Sequence, residues 1–156
     1  MAKVDFTFRS ELDAMIGGVG HSACFQCGAC VGDCPGARYS ERFNPRQIML
    51  MAILGLADRL VTRDSLVWDC TNCCNCVEHC PQDVQPMEVI IAIKNMIRDR
   101  GLFPEKSETI VGAVLETGRT VVMSDLIHKR RRELDLPALA KPPVEELAAI
   151  LETDNG

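Results

Sequence analysis

"CFQCGACVGDCP", Cys24 to Pro35, and "CTNCCNCVEHCP", Cys70 to Pro81, are two copies of one pattern, C-x2-C-x2-C-x3-C-P. Together they take eight of the chain's nine cysteines. In each copy three cysteines recur at every third position, a spacing that lets a tight loop wrap one inorganic core. The fourth, followed by proline, stands one residue further off. Disulfide frameworks, zinc sites and iron-sulfur sites all use clustered thiols, so spacing and context have to separate them.

The opening "MAKVDFTFRS" has no apolar core or small-residue cleavage site, so no export signal is read and a cytoplasmic location is expected. Cytosolic thiols are kept reduced, which sets nine cysteines toward metal ligation rather than disulfides. Zinc remains the alternative metal, but its usual thiol sites join one close pair to a distant second pair. Four cysteines in eleven positions, ended by proline, is the 4Fe-4S arrangement, in which the fourth cysteine of each run ligates the other cluster. The expected ligands are Cys24, Cys27, Cys30 and Cys80 for one 4Fe-4S cluster and Cys70, Cys73, Cys76 and Cys34 for the second. The register leaves Cys74 over. As a free cysteine it is expected to be a small buried residue, with a redox-active thiol as the competing reading.

The rest of the composition narrows the function. Apolar residues make up 47% of the chain, enough for a core, whereas aromatics supply 4%. With a net charge of -5, neither base stacking nor phosphate contact is favoured, so no nucleic-acid partner is expected. The apolar run "IMLMAILGLA", Ile48 to Ala57, is about half the roughly 20 residues that a spanning helix requires. It reads as a buried helix, with no direct membrane insertion. "GGVG", Gly17 to Gly20, lacks the full G-x-G-x-x-G and follows no strand, so it reads as a hinge or helix stop.

Around the motifs the pattern is helical. Asn44 fits an N-cap, Pro45 the first helical position and Gln47 a capping-box-like start to "IMLMAILGLADRL". In "QPMEVIIAIKNMIRDRG", Pro86 opens a second helix in which Val89, Ile90, Ile93, Met96 and Ile97 recur at helical spacing before Gly101. Further helices are expected near Ser10 to Ile16, over Ser107 to Thr117, from Ser124 to about Leu134, and from Val144 to Glu152. The one strand candidate is "TVVM", Thr120 to Met123. The fold class is therefore mainly α, with two 4Fe-4S clusters and short flanking helices. Its expected divisions are an N-terminal segment 1–20, a dicluster core 21–102 and a C-terminal extension 103–156.

Several single features carry less. His79, beside Cys80, is placed to tune a cluster by hydrogen bonding, and Trp68 to shield one or to anchor the core. His21 carries no signal beyond that of an ordinary polar residue. "HKRRR", His128 to Arg132, reads as a solvated helical face, with docking of an acidic partner as the other use. In the tail "KPPVEELAAILETDNG", Leu147, Ile150 and Leu151 share one side of a helix.

Two such motifs separated by a helix resemble the helical ferredoxin type found in the C subunit of heterodisulfide reductases and, more distantly, the iron-sulfur subunits of fumarate reductases. The resemblance to the C subunit also runs through "NPRQIM", "LVWDCTNCCNCVEHCPQDVQPMEVI", "ETGRTVVMSD" and "RRRELDLP". It implies a relay of electrons between an A subunit, which contains flavin and clusters, and a B subunit, whose cysteine-rich CCG motifs house disulfide chemistry. In methanogens that substrate is the mixed disulfide of coenzyme M and coenzyme B, while related complexes serve sulfur metabolism. This chain has no CCG motif, so a relay role is expected rather than the disulfide-reducing one. The alternatives are an autonomous disulfide reductase attacking through Cys74, a free dicluster ferredoxin, and a module whose metal sites only staple helices.

Overall fold

The structure, a computed structural model, describes residues 3–16, 20–140 and 142–153, with side chains described as far as Ile150. The chain divides into two compact units, Met1–Phe103 and Pro104–Gly156. Every regular element among the described residues is helical.

The first helix, α1 (Phe6–Met15), begins earlier than the sequence pattern suggests because Asp5 caps it. The Asp5 carboxylate accepts the backbone N–H groups of Thr7 and Phe8 at 2.9 and 3.2 Å, satisfying donors that the first turn leaves free. Two short helices, α2 (Ala29–Gly32) and α3 (Pro35–Tyr39), carry the first cysteine motif into the longer α4 (Pro45–Ile53). As expected, Pro45 starts α4 and the Asn44 side chain accepts the Gln47 N–H at 3.2 Å. The apolar run does not continue as one helix: α4 stops at Ile53, and α5 (Ala57–Leu60) is a separate turn.

The break lies at Gly55, whose φ of +68° is left-handed. A Cβ there would stand 2.6 Å from the Asp5 carbonyl oxygen, and the Asp5 N–H donates to the Gly55 carbonyl at 2.8 Å. The start of α1 is thus pinned to the end of α4 at a point only glycine fits.

After the second motif, with its short α6 (Asn75–Glu78), comes α7 (Pro86–Asp99). Its predicted apolar face is the centre of the unit. Val89, Ile90, Ile93 and Ile97 are fully buried against Phe8 and Leu12 of α1, Ile48 and Met49 of α4, and Val67. Each such aliphatic contributes about 1.5–3 kcal/mol by leaving water. Arg100 and Glu11, 3.3 Å apart, tie the rims of α7 and α1. Both motifs therefore emerge from one buried helical core.

In the second unit α8 (Glu105–Thr117) packs with α10 (Val144–Thr153), and α9 (Asp125–Glu133) follows its Ser124 cap. These match the expected helices to within a few residues. The strand expected at Thr120–Met123 is absent: the segment is a bend and coil. Four residues form a strand only against a partner ladder, and no strand is found among the described residues. The basic run lies at the end of α9, where cations suit the helix dipole. Arg130 pairs with Glu133 at 3.2 Å, and Arg131 donates to the Pro137 carbonyl at 2.8 Å. On α10 Leu147 is half-buried and Ile150 exposed, and the Leu151 side chain lies outside the described residues, as do Gly17–Val19 of "GGVG". Among the described residues no helix is long and apolar enough to cross a membrane.

Candidate metal centre

The two motifs fold alike, residue for residue. Each is entered from a 3-10 turn, His21–Ala23 before Cys24 and Leu66–Asp69 before Cys70. In each, the second residue after the first cysteine has positive φ, +62° at Gln26 and +53° at Asn72. In each, the residue after the second cysteine is left-handed and caps a one-turn helix carrying the third: Gly28 (φ +86°) before α2, and Cys74 (φ +64°) before α6. Proline follows the fourth cysteine in both.

That register explains the ninth cysteine. Cys74 occupies the place that glycine takes in the first copy, and the left-handed backbone points its side chain out of the loop. The expectation that it is buried is overturned: Cys74 is exposed. Its Sγ lies 3.3 Å from Met87 Sδ and 3.7 Å from the Asn72 carbonyl oxygen.

The one-turn helices α2 and α6 pack against each other. Asn75 Nδ2 donates to the Asp33 carbonyl at 3.1 Å, and His79 Nε2 lies 3.2 Å from Asp33 Oδ2. Positions 33 and 79 are equivalent in the two copies, so the pair sits where the repeats meet. His79 thus ties motif to motif, a different task from the sulfur hydrogen bond that its position beside Cys80 suggested.

This packing mixes the thiols of the two copies. Burial, followed by the thiols of Cys24, Cys27 and Cys80, pushes the Cys30 thiol up to about 11. Burial, followed by Cys70, Cys30, Cys34 and Cys73, pushes Cys76 up to about 12. In each case the neighbour from the fourth position comes from the other motif, and the two sets meet where Cys30 acts on Cys76. Such crowded thiols hold their protons unless a cationic core replaces them.

In the first set, Cys24, Cys27, Cys30 and Cys80 line one small pocket walled by Met49 and Pro86. Among the described residues no three His, Cys, Asp or Glu side chains converge closely enough to hold a single metal ion. A ring of four thiols around a space is the donor set of a 4Fe-4S core. Two N–H groups already point at sulfur: Gln26 Nε2 reaches Cys24 Sγ and the Val84 amide reaches Cys80 Sγ, both at 3.4 Å. Neither donor was legible in the sequence, because each depends on the turn that follows its cysteine.

His21, unremarkable in sequence, is fully buried, with Nδ1 2.7 Å from Asp13 Oδ1. Trp68 is half-buried against the core and meets Phe103 edge-on, ring centroids 5.5 Å apart.

Comparison with known proteins agrees with this geometry. A 4Fe-4S dicluster domain matches residues 20–84. The iron-sulfur C subunit of CoB-CoM heterodisulfide reductase from Methanopyrus kandleri is 34% identical over 114 residues, covering 73% of this chain and 58% of that protein. The corresponding C 2 subunit from Methanocaldococcus jannaschii is 35% identical over 116 residues, 74% of this chain and 61% of that one. The C subunit of the H(2):CoB-CoM heterodisulfide,ferredoxin reductase from Methanothermobacter thermautotrophicus is 32% identical over 140 residues, 90% and 73%. This chain thus spans about six tenths of the first two relatives and nearly three quarters of the third. It carries a domain for two 4Fe-4S clusters, and it belongs to the family of heterodisulfide reductase C subunits.

Proposed function

We propose that this chain is an electron-relay subunit. It would pass electrons through two 4Fe-4S clusters between a flavin-containing A subunit and a disulfide-reducing B subunit with CCG motifs, in a heterodisulfide reductase-type complex. Cys24, Cys27, Cys30 and Cys80 hold the first cluster; Cys70, Cys73, Cys76 and Cys34 hold the second. The observation that carries the reading is the interlocked thiol pattern, in which Cys30 shares a pocket with Cys80 and Cys76 is acted on by both Cys34 and Cys30.

Each 4Fe-4S cluster, when bound, supplies reversible one-electron chemistry at a potential set by charge, hydrogen bonding and exposure. The chain's own part is to fix and insulate. Exchange of the fourth cysteine keeps the two sites at a fixed separation, and α4 and α7 keep water from their inner sides. Gln26 and Val84 direct N–H groups at sulfur, where they favour added negative charge.

Anaerobic purification of the native complex, with its subunits identified by mass spectrometry, tests the partners. Recovery with a flavoprotein and a CCG-motif protein is expected; recovery of the chain alone would refute the assembly. The exposure of Cys74 favours one second reading, an autonomous disulfide reductase. That reading requires the isolated, cluster-loaded chain to turn over a disulfide with a chemical donor, and the C74S variant to lose this activity.

A further inference from the structure

Lys94 of α7 is half-buried, and its surroundings are unusual for an ammonium group. Nζ lies 3.4 Å from the Cys70 carbonyl oxygen, 3.2 Å from Asn72 Oδ1 and 5.7 Å from the centre of the Trp68 ring. All three are negative ends of dipoles or of the ring quadrupole, and all three favour the charged form. No carboxylate pairs with it among the described residues. A half-buried cation needs a counter-charge, and Cys70, whose carbonyl Nζ contacts, belongs to the thiol set that would supply one with a cluster bound.

The first site is furnished differently. There sulfur accepts neutral N–H groups from Gln26 and Val84, and the nearby cation, Arg46, is exposed, where water and salt weaken its field. Among the described residues no N–H group bonds to the sulfur of Cys34, Cys70, Cys73 or Cys76. The second site has instead one cation held in a partly desolvated position, where a charge acts at greater strength than on the surface.

We propose that Lys94 is the fixed counter-cation of the second cluster and selectively raises its reduction potential, a reading that rests on the ligand assignment above. Thiolate-ligated clusters are anionic, so an added electron increases negative charge, and a nearby cation stabilises the reduced form more than the oxidised one. One electron enters the second cluster from the first, with no bond or proton exchanged. Removing the charge shifts the shared electron back toward the first cluster. The two sites are thus tuned by separate means, N–H donors at one and a held charge at the other.

The test is an anaerobic redox titration of the full-length, cluster-loaded chain, followed by electron paramagnetic resonance, on the wild type and on K94Q, K94R and Q26L. The wild type should give two one-electron waves. K94Q should move one of them to lower potential, by about a tenfold change in electron partition, which is 59 mV for a one-electron couple. K94R should restore that wave, and Q26L should lower the other. K94Q leaving both waves in place, or moving both equally, would overturn the proposal, as would K94R behaving like K94Q. If K94Q binds no iron, loading of K94R but not K94M supports a required charge, whereas failure of all three would mark a merely structural residue and overturn it. A single wave in the wild type would overturn the relay reading as well; two waves indifferent to K94Q would overturn only this one.

Discussion

Arg42 holds the Asp69 carboxylate from two sides, Nε 2.8 Å from Oδ2 and Nη2 2.9 Å from Oδ1. Ser40 Oγ donates to Oδ2 at 2.7 Å. Asp69 immediately precedes Cys70, and Ser40 and Arg42 follow α3, the helix that Cys34 precedes. The fork therefore clamps the exit of the first motif to the entrance of the second, and it is bidentate, the strong form of such a pair. The Arg42 hydrogen bonds, aided by Ser40 and opposed by burial, hold the Asp69 carboxyl down at about 2.

The pH dependence follows in sign from that depression. An unfolded chain has Asp near 3.9, so the clamp contributes fully above about pH 4 and is lost as pH falls toward 2. Because Arg42 is more than half exposed, D69N should cost only about 1 kcal/mol at pH 7. Thermal unfolding of wild type and D69N should differ at pH 7 and converge between pH 4 and 2. A difference that persists unchanged at pH 2 would show the clamp to be unimportant.

Gly36 makes the same junction sterically. A Cβ there would stand 2.8 Å from Phe43 Cδ1 and 3.0 Å from the Asp69 carbonyl oxygen. The ring can shift, but the backbone oxygen before Cys70 cannot move without carrying the second motif. G36A should therefore cost about 1–3 kcal/mol, the usual penalty of overpacking, and lower iron per chain at both sites. Unchanged Tm and full iron content would contradict it.

What could be read in advance, and what could not, divides by range along the chain. The Asn44–Pro45 start of α4 and the apolar face of α7 are local patterns, visible in neighbouring residues. The Asp5 cap is local too, but its helix opens with Phe6, ahead of the polar Ser10 that resembles a start. "TVVM" had the composition of a strand and lacked the partner that makes one. The Arg42–Asp69 fork, the Asp13–His21 pair and the placement of Lys94 over Trp68 join residues that no periodicity connects. For Cys74 the repeat register identified the spare thiol. Its exposure followed only from its counterpart, Gly28, being in the left-handed region.

That counterpart predicts the outcome of replacing it. A left-handed backbone costs a non-glycine residue about 1–2 kcal/mol, partly offset by the extra freedom glycine has when unfolded. C74G should retain both clusters and raise stability by up to about 1 kcal/mol, whereas C74V, β-branched at the same φ, should lower it. Thermal unfolding with iron analysis checks both. Loss of a cluster in C74G would mean that Cys74 is a ligand and that the register is wrong.

The ligand assignment makes the sharpest demand of all, because it crosses the sequence. If each motif held its own cluster, serine at Cys34 would damage the same cluster as serine at Cys27. The observed neighbours pair Cys30 with Cys80 and Cys76 with Cys34, so the damage should exchange. C27S and C80S should remove or alter one and the same electron paramagnetic resonance signal, and C73S and C34S the other, although each pair joins residues from different motifs. Because Cys30 lies close enough to act on Cys76, the two reduced clusters should couple magnetically in the wild type, and a variant that loses either cluster should lose that coupling. Signals that sort by motif rather than by the crossed pairs would refute the assignment, and with it the interlocking that fixes the two sites at one separation.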